Sequence, residues 1–276
     1  MARDLDDWSL AFSTLGAPGW SIQQVVDAVA DYWYDGIELR VLDGALIDAT
    51  TLDHEVRGEV ARVLQKASVP IACFDSSVRL AKPETYPELR ASLELAHDWR
   101  APLVRVFGGL ADPAKPSAGS YEEIADRLEP FLGVADSLGV SIVLDTHDVF
   151  SSAASTSALL DHVSHPRLGA AWDVRHTWRA GESAEDAVAL LGDRLLYVHI
   201  KDARKTPDGP ELCLLGQGHV PVRESLSVLR RVGYSGWISV EWEKHWHPEL
   251  AEPEIALPQH ARVLRRWFDA IGHEVR

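Results

Sequence analysis

The sequence predicts an α/β fold, a (β/α)8 barrel formed by residues 1–276 as one domain. Three observations predict it. Short apolar runs of strand length alternate with amphipathic helical stretches from end to end. Eight such pairs can be counted. A chain of 276 residues also matches the roughly 250 residues at which eight strand-helix units close into one barrel. Strict alternation requires parallel strands, because each helix carries the chain back across the sheet before the next strand begins.

The strands are expected at Trp8 to Phe12, Gly36 to Leu39, Pro70 to Phe74, Leu103 to Val106, Ser141 to Leu144, Leu168 to Ala171, Leu195 to Ile200 and Trp237 to Val240. Each is a near-continuous apolar run, as suits a strand covered on both faces. Ile22, Val25, Val26 and Val29 form the first helical stripe, and Val56, Val60, Val63, Leu64 and Ala67 the second. Leu257, Ala261, Leu264, Phe268 and Ile271 supply a covering helix after the eighth strand, so the count closes. Ser21 with Gln24, and Ser120 with Glu123, have the spacing of capping boxes at helix starts. An open doubly wound sheet is disfavoured, since Ser13-Thr14-Leu15-Gly16-Ala17-Pro18-Gly19 lacks the Gly-x-Gly-x-x-Gly spacing after the first strand.

Composition excludes several functions. Lys and Arg total 27 against 42 Asp and Glu, a formal charge of −15, which repels nucleic acid and anionic membrane alike. Cys73 and Cys213 stand far apart with no CxxC pairing, against a disulfide framework or zinc ribbon. No apolar run approaches the roughly 18 residues of a membrane span, and the first residues have no apolar signal core. The expectation is a soluble, cytoplasmic protein.

In such a barrel the active site lies at the carboxyl ends of the strands. Four consecutive strands end in metal-ligand residue types: strand five runs into Asp145, strand six into Asp173, strand seven carries His199 and strand eight runs into Glu241. A single acid after a strand is commonly the N-cap of the next helix. Three carboxylates and an imidazole on adjacent strands instead point to one divalent cation, without which the crowded acids would take up protons. Carboxylate-rich ligation with one nitrogen suits Mn²⁺, Mg²⁺ or Co²⁺ better than Zn²⁺. Lys201, two residues past His199, points to the same side of its strand and can add positive charge at a substrate oxygen, or else reach out to solvent. His147 bears the same relation to Asp145, as an acid-base group or as a donor that orients a ligand.

Asp145-Thr146-His147, Trp172-Asp173-Val174-Arg175-His176, His199-Ile200-Lys201-Asp202, Gly216-Gln217-Gly218 and Gly233-Tyr234-Ser235-Gly236-Trp237-Ile238-Ser239-Val240-Glu241 resemble, in order and spacing, the xylose isomerase-like TIM-barrel superfamily of sugar isomerases and epimerases. The resemblance implies that Asp145, Asp173, His199 and Glu241 hold the metal and that His176 contacts substrate. It also implies proton exchange through a cis-enediolate between carboxylates on strands five and eight. Position 145 is Asp where the family pattern usually has Glu. The lost methylene sets a base there back by about 1.5 Å, a misplacement that can cost orders of magnitude in rate. Glu241 is therefore expected as principal base and Asp145 chiefly as ligand.

Trp242 and Trp246 in the loop after strand eight are expected to face a sugar ring, or else to pack over the barrel mouth. Glu38 and Arg40, at the end of strand two, lie on the same rim as pocket candidates, although Glu38 can instead pair with Arg105 inside the barrel. Gly216-Gln217-Gly218 sits where barrels bind phosphate through backbone amides, but it carries no Lys or Arg between its glycines, so a neutral, unphosphorylated polyol ketone is expected as substrate. The leading expectation is a metal-dependent sugar isomerase or epimerase. A lyase using the same site, of the inosose-dehydratase or C-glycoside-cleaving kind, is the alternative, followed by a non-catalytic sugar-binding barrel. A metal-cluster endonuclease is disfavoured by the shortage of strand-end histidines and of basic surface. The number of subunits is left open, a homo-oligomer included.

Overall fold

The computed structural model describes residues 8–109 and 118–274. Eight parallel strands close into a barrel: β1 (Ser9–Ser13), β2 (Gly36–Leu39), β3 (Ile71–Arg79), β4 (Leu103–Phe107), β5 (Ser141–Asp145), β6 (Leu168–Asp173), β7 (Leu195–Ile200) and β8 (Trp237–Val240). Neighbours in sequence are neighbours in the barrel, and β8 pairs with β1 through Ala11 and Ser239 to close it. Helices α1 (Ile22–Asp31), α2 (His54–Ala67), α3 (Tyr86–Trp99), α4 (Ala118–Leu138), α5 (Ala153–His162), α6 (Val174–Arg179), α7 (Ala184–Leu191), α8 (Val222–Arg231) and α9 (Pro253–Glu274) connect or cover the strands. Among the described residues no helix is long and apolar enough to cross a membrane.

The expected limits of β2, β7 and β8 coincide with those observed. The widest departure is β3, expected to stop at Phe74 but continuing to Arg79. Its continuation, Asp75-Ser76-Ser77, is polar, and a polar run reads as a loop unless its burial is known. Ser21 and Gln24 form the expected capping box, with reciprocal bonds of 3.4 and 2.9 Å. Helix α4 already includes Ala118, so Ser120 stands inside it rather than at its cap, and that side chain lies outside the described residues. On α9, Leu257, Ala261, Leu264 and Ile271 are buried as their stripe requires. Cys73 and Cys213 are both free and buried.

Two short hairpins interrupt the alternation beyond the expected pattern: Val41–Leu42 with Ala45–Leu46 after β2, and Asp202–Thr206 with Gly209–Cys213 after β7. The first turns at Asp43-Gly44, which adopt the positive φ values (50° and 85°) that such tight turns demand, and the second at Pro207-Asp208, with Gly209 opening the return strand opposite Thr206. Inside the barrel, the floor is lined by small or apolar residues, among them Ala11, Cys73, Leu103, Val143 and Ala171, with Tyr197 as the one bulky polar member. Two residues further along each strand, alternation brings the next inward side chain to the mouth.

Candidate active site

That second layer is almost entirely polar. Glu38, Asp75, Arg105, Asp145, Asp173, His199 and Glu241 follow the floor residues, and none is more than 6% exposed. Strand register sets them side by side, with Asp173 opposite His199, Asp75 opposite Arg105 and Ser239 opposite His199. Charges this deeply buried persist only with close partners, and the pattern of partners separates two groups.

The first group is satisfied by the protein itself. Arg105 donates to both carboxylate oxygens of Asp75, at 2.9 and 2.6 Å. Glu38 Oε2 accepts from Tyr197 Oη at 2.7 Å and from His199 Nε2 at 2.8 Å. The alternative of a Glu38–Arg105 pair is thus corrected: Asp75, on the unread end of β3, takes the guanidinium and leaves Glu38 to the histidine. Burial pushes the Asp75 carboxyl up to about 7, against the pull of Arg105. For Glu38 burial acts in the same upward direction but is outweighed by His199, which holds that carboxyl at about 2.

The second group is open. With Nε2 donating to Glu38, His199 directs Nδ1 at the mouth, where it has no hydrogen-bond partner. Against the opposing effect of burial, Glu38 and Glu241 raise the ring well above its ordinary pKa, so a bound metal ion would take the place of the Nδ1 proton. Nδ1 lies 3.9 Å from Asp145 Oδ2, while Asp145 Oδ1 is buried without a partner. Ligand atoms of Asp145, Asp173 and His199 fall within 4.8 Å of one another. Asp173 carries out the bland and the functional role together, since Oδ1 caps α6 by accepting from His176 N at 3.0 Å and Oδ2 turns to the mouth. Two orphaned buried atoms beside a carboxylate fit a divalent cation, and the Glu38–His199 bond is the usual device that orients a metal-binding imidazole. Burial raises the Asp145 carboxyl above its ordinary range despite His199 and Arg105, as expected of an acid lacking a full counter-charge.

Glu241 is drawn to a different cation. Lys201 Nζ is buried, not in solvent, and it contacts Asp173 Oδ2 at 2.8 Å, Glu241 Oε2, and Glu243 Oε1 at 2.7 Å. Burial alone would raise the Glu241 carboxyl, but Lys201, then His199 and Arg105, hold it well below the usual carboxylate value. The structure therefore brings Asp145, Asp173 and His199 together as one cluster, and Glu241 joins it both through the ammonium and through His199, with which, together with Glu38 and Asp75, it forms a second group of ligand atoms within 4.8 Å of one another. Glu243, two residues past Glu241 in the loop after β8, faces the same ammonium.

The remaining expected residues divide. His176 is buried with Nε2 unpartnered, 3.6 Å from Asp173 Oδ2. The edge of one ring meets the face of the other where His147 stacks on His176, with ring centroids 4.7 Å apart, and His147 Nδ1 donates to Asp148 at 2.8 Å. Arg40 donates to Asp75 O at 3.2 Å and Ser77 Oγ at 2.9 Å, bracing the end of β3. Trp242, one step beyond inward Glu241, is 1% exposed, donates to Ala251 O at 3.0 Å and packs on His260, so it fills the space beneath α9. Trp246 is half exposed and meets His245 edge to face.

The loop at Gly216-Gln217-Gly218 is tied down by Asp202. One oxygen accepts from Gly216 N and Gly218 N, both at 2.9 Å, and the other from Ala203 N and Val220 N at 2.8 and 3.2 Å. The amides that a phosphate would need at Gly216 and Gly218 are thus taken by a carboxylate. A Cβ at Gly218 would fall 2.1 Å from Asp202 Oδ1, which explains that glycine.

Comparison with known proteins agrees with this architecture. The model of the xylose isomerase-like TIM barrel family matches residues 26–267. Fructoselysine 3-epimerase of Escherichia coli O157:H7 is 23% identical over 163 residues, 57% of this chain and 58% of that protein. Inosose dehydratase of Geobacillus kaustophilus is 23% identical over 196 residues, 64% of this chain and 59% of that one. The chain thus spans less than two thirds of the length of these relatives. An L-ribulose 3-epimerase structure superposes with a TM-score of 0.79 at 15% identity, covering 98% of this chain and 97% of that one, a likeness of fold. With its closed barrel and a family match over most of its length, the chain belongs to the xylose isomerase-like TIM barrel family.

Proposed function

We propose that the protein is a divalent-metal-dependent isomerase or epimerase of a sugar or related polyol ketone, acting by proton abstraction next to a carbonyl. The observation that carries this reading is the set of buried, unpartnered ligand atoms at the mouth, Asp145 Oδ1 and His199 Nδ1, beside Asp173. Asp145, Asp173 and His199 would hold the ion, with Glu241 completing the set, and Mn²⁺, Mg²⁺ or Co²⁺ suits these donors. Such an ion acidifies the α proton by polarising the substrate carbonyl.

The chain's own groups then divide the work. Glu38 fixes the His199 ring with Nδ1 directed at the mouth. Glu241 is the proposed base, kept ionised by Lys201. Glu243 offers that ammonium a second carboxylate at 2.7 Å, so Glu241 can release it as the substrate proton arrives. Freed in this way, Lys201 can place its charge against a developing oxyanion. Asp145 stays a ligand, its short side chain being anchored between His199 and Arg105.

Incubation with Mn²⁺ and a panel of ketoses and inososes in deuterated water tests the reading. Solvent deuterium in recovered or epimerised sugar is expected, and its absence from every candidate would refute proton abstraction. A lyase is the second reading, favoured by the similarity to an inosose dehydratase: after the same proton leaves, loss of a β-hydroxyl gives an enone or diketone, which the same incubation reveals.

A further inference from the structure

Beside the acidic centre, on the side of β3 to β6, a cavity of about 610 Å³ opens at the barrel mouth. Its volume lies within the roughly 300–1,000 Å³ typical of small-molecule sites. Its charge is opposite to that of the protein as a whole. Among the described residues, Arg79, Lys82 and Arg179 line it with one carboxylate, Asp148, in a chain of formal charge −15. Among the described residues none of these three cations has a carboxylate oxygen at ion-pair distance; Asp148 accepts from His147 Nδ1, and Arg79 adds only a weaker pull that helps hold that carboxyl below its ordinary value.

The cavity is built rather than incidental. The stem of Arg79 lies so close over Gly109 that a Cβ there would fall 2.7 Å from Arg79 Cβ, and Gly109 adopts a φ of +64°. A glycine is thus needed for the arginine to lie where it does. His176 forms the wall shared with the acidic centre: it is buried, its Nε2 has no hydrogen-bond partner, and that atom lies 3.6 Å from Asp173 Oδ2. A polyol chain whose carbonyl end sits at Asp173 would therefore pass His176 and His147 before its far end reaches the three cations.

We propose that this cavity is an oxyanion subsite, and that the substrate of the reaction proposed above is a polyol ketone ending in a carboxylate or phosphate, held by Arg79, Lys82 and Arg179. The proposal rests on the preceding functional reading for the position of the carbonyl end. It replaces the neutral substrate expected from the Gly216-Gln217-Gly218 loop, because the cations are supplied instead by Arg79, Lys82 and Arg179 at another part of the rim.

Calorimetric titration of the Mn²⁺-supplemented protein with D-gluconate, sorbitol 6-phosphate and sorbitol tests it, since the three share a six-carbon polyol chain and differ in their terminal group. At least one anion is expected to bind about tenfold or more tightly than sorbitol, the scale of one charge-assisted contact. Arg79→Gln combined with Arg179→Gln is expected to erase that advantage and leave sorbitol unchanged. Arg90→Gln on outer helix α3 should preserve it. Whichever anion gains more identifies the terminal group. Equal affinities for all three ligands, or an advantage that survives the double substitution, would overturn the proposal. Deuterium exchange into D-fructose, 5-keto-D-gluconate and fructose 6-phosphate, run in parallel, separates the two failures: exchange without an anion advantage sinks the subsite alone, and an anion advantage without exchange into any of the three ketones sinks the isomerase reading alone.

Discussion

Replacing Lys201 with Met tests whether the mouth of the barrel is held together by its internal cation. The ammonium is 2% exposed and serves three carboxylates, Asp173, Glu241 and Glu243. Methionine preserves most of the stem and removes the charge. Breaking a buried ion pair from one side costs about 3–5 kcal/mol, because the partner is left charged and desolvated. At about 2–4 °C per kcal/mol for a chain of this size, the melting temperature should fall by about 6–20 °C in metal-free buffer. Scanning calorimetry with and without Mn²⁺ reads this directly. Manganese should raise the melting temperature of Lys201→Met by more than that of the wild type, since the added ion supplies the missing charge to Asp173 and Glu241. Adding Asp173→Asn should recover part of the loss, as removal of both partners is far milder than removal of one. If Lys201→Met melts within 2 °C of the wild type without metal (about 1 kcal/mol or less), the ammonium is not the group that holds these acids together.

Further outcomes follow from other residues. Asp173→Asn and Glu241→Gln should each lower the manganese retained after dialysis, measured by elemental analysis, and full retention in both would contradict their assignment as ligands. Asp202→Ala should destabilise the protein by at least about 3 kcal/mol in urea denaturation, because four backbone N–H groups lose their acceptor; a loss under 1 kcal/mol would refute the role given to that carboxylate. His260 is fully buried, and burial lowers it to about 4 from 6.5. Its depressed value means that the unfolded chain binds the proton first on acidification, so the wild type should lose about 3 kcal/mol between pH 6.5 and 4 from this group. His260→Asn should flatten that part of the stability profile, and an identical slope in both proteins would exclude His260 as its source.

How much of this was legible depended on how local each signal was. The strands are buried on both faces, so β2, β7 and β8 appear as apolar runs with sharp edges. Asp145, Asp173, His199 and Glu241 stand at or beside the point where such a run stops, which made them visible as a set. Asp75 was hidden because β3 continues through polar residues whose partner, Arg105, is distant in sequence. Its pairing changed the role of Glu38 from a partner of arginine to the group that orients His199. The two hairpins were available from Asp43-Gly44 and Pro207-Asp208-Gly209, turn signals embedded in stretches otherwise lacking strand pattern. The basic rim was invisible for a different reason: Arg79 and Lys82 lie at and just after the end of β3 whereas Arg179 follows β6, and only closure puts the two segments on one wall. Of the two places open to Trp242, a sugar face or a packed site, alternation decides for packing, since the residue after an inward Glu241 is directed to the helix layer.

The cradle that Asp202 makes around residues 216 to 220 anchors the tail of the excursion following β7 to the very strand end that bears His199 and Lys201. Any insertion or deletion between residues 203 and 215 is therefore felt upstream of that knot and not at α8, which begins only after it. Such an excursion could lengthen, shorten or change its chemistry over generations while the polar layer at the strand ends beneath kept its shape.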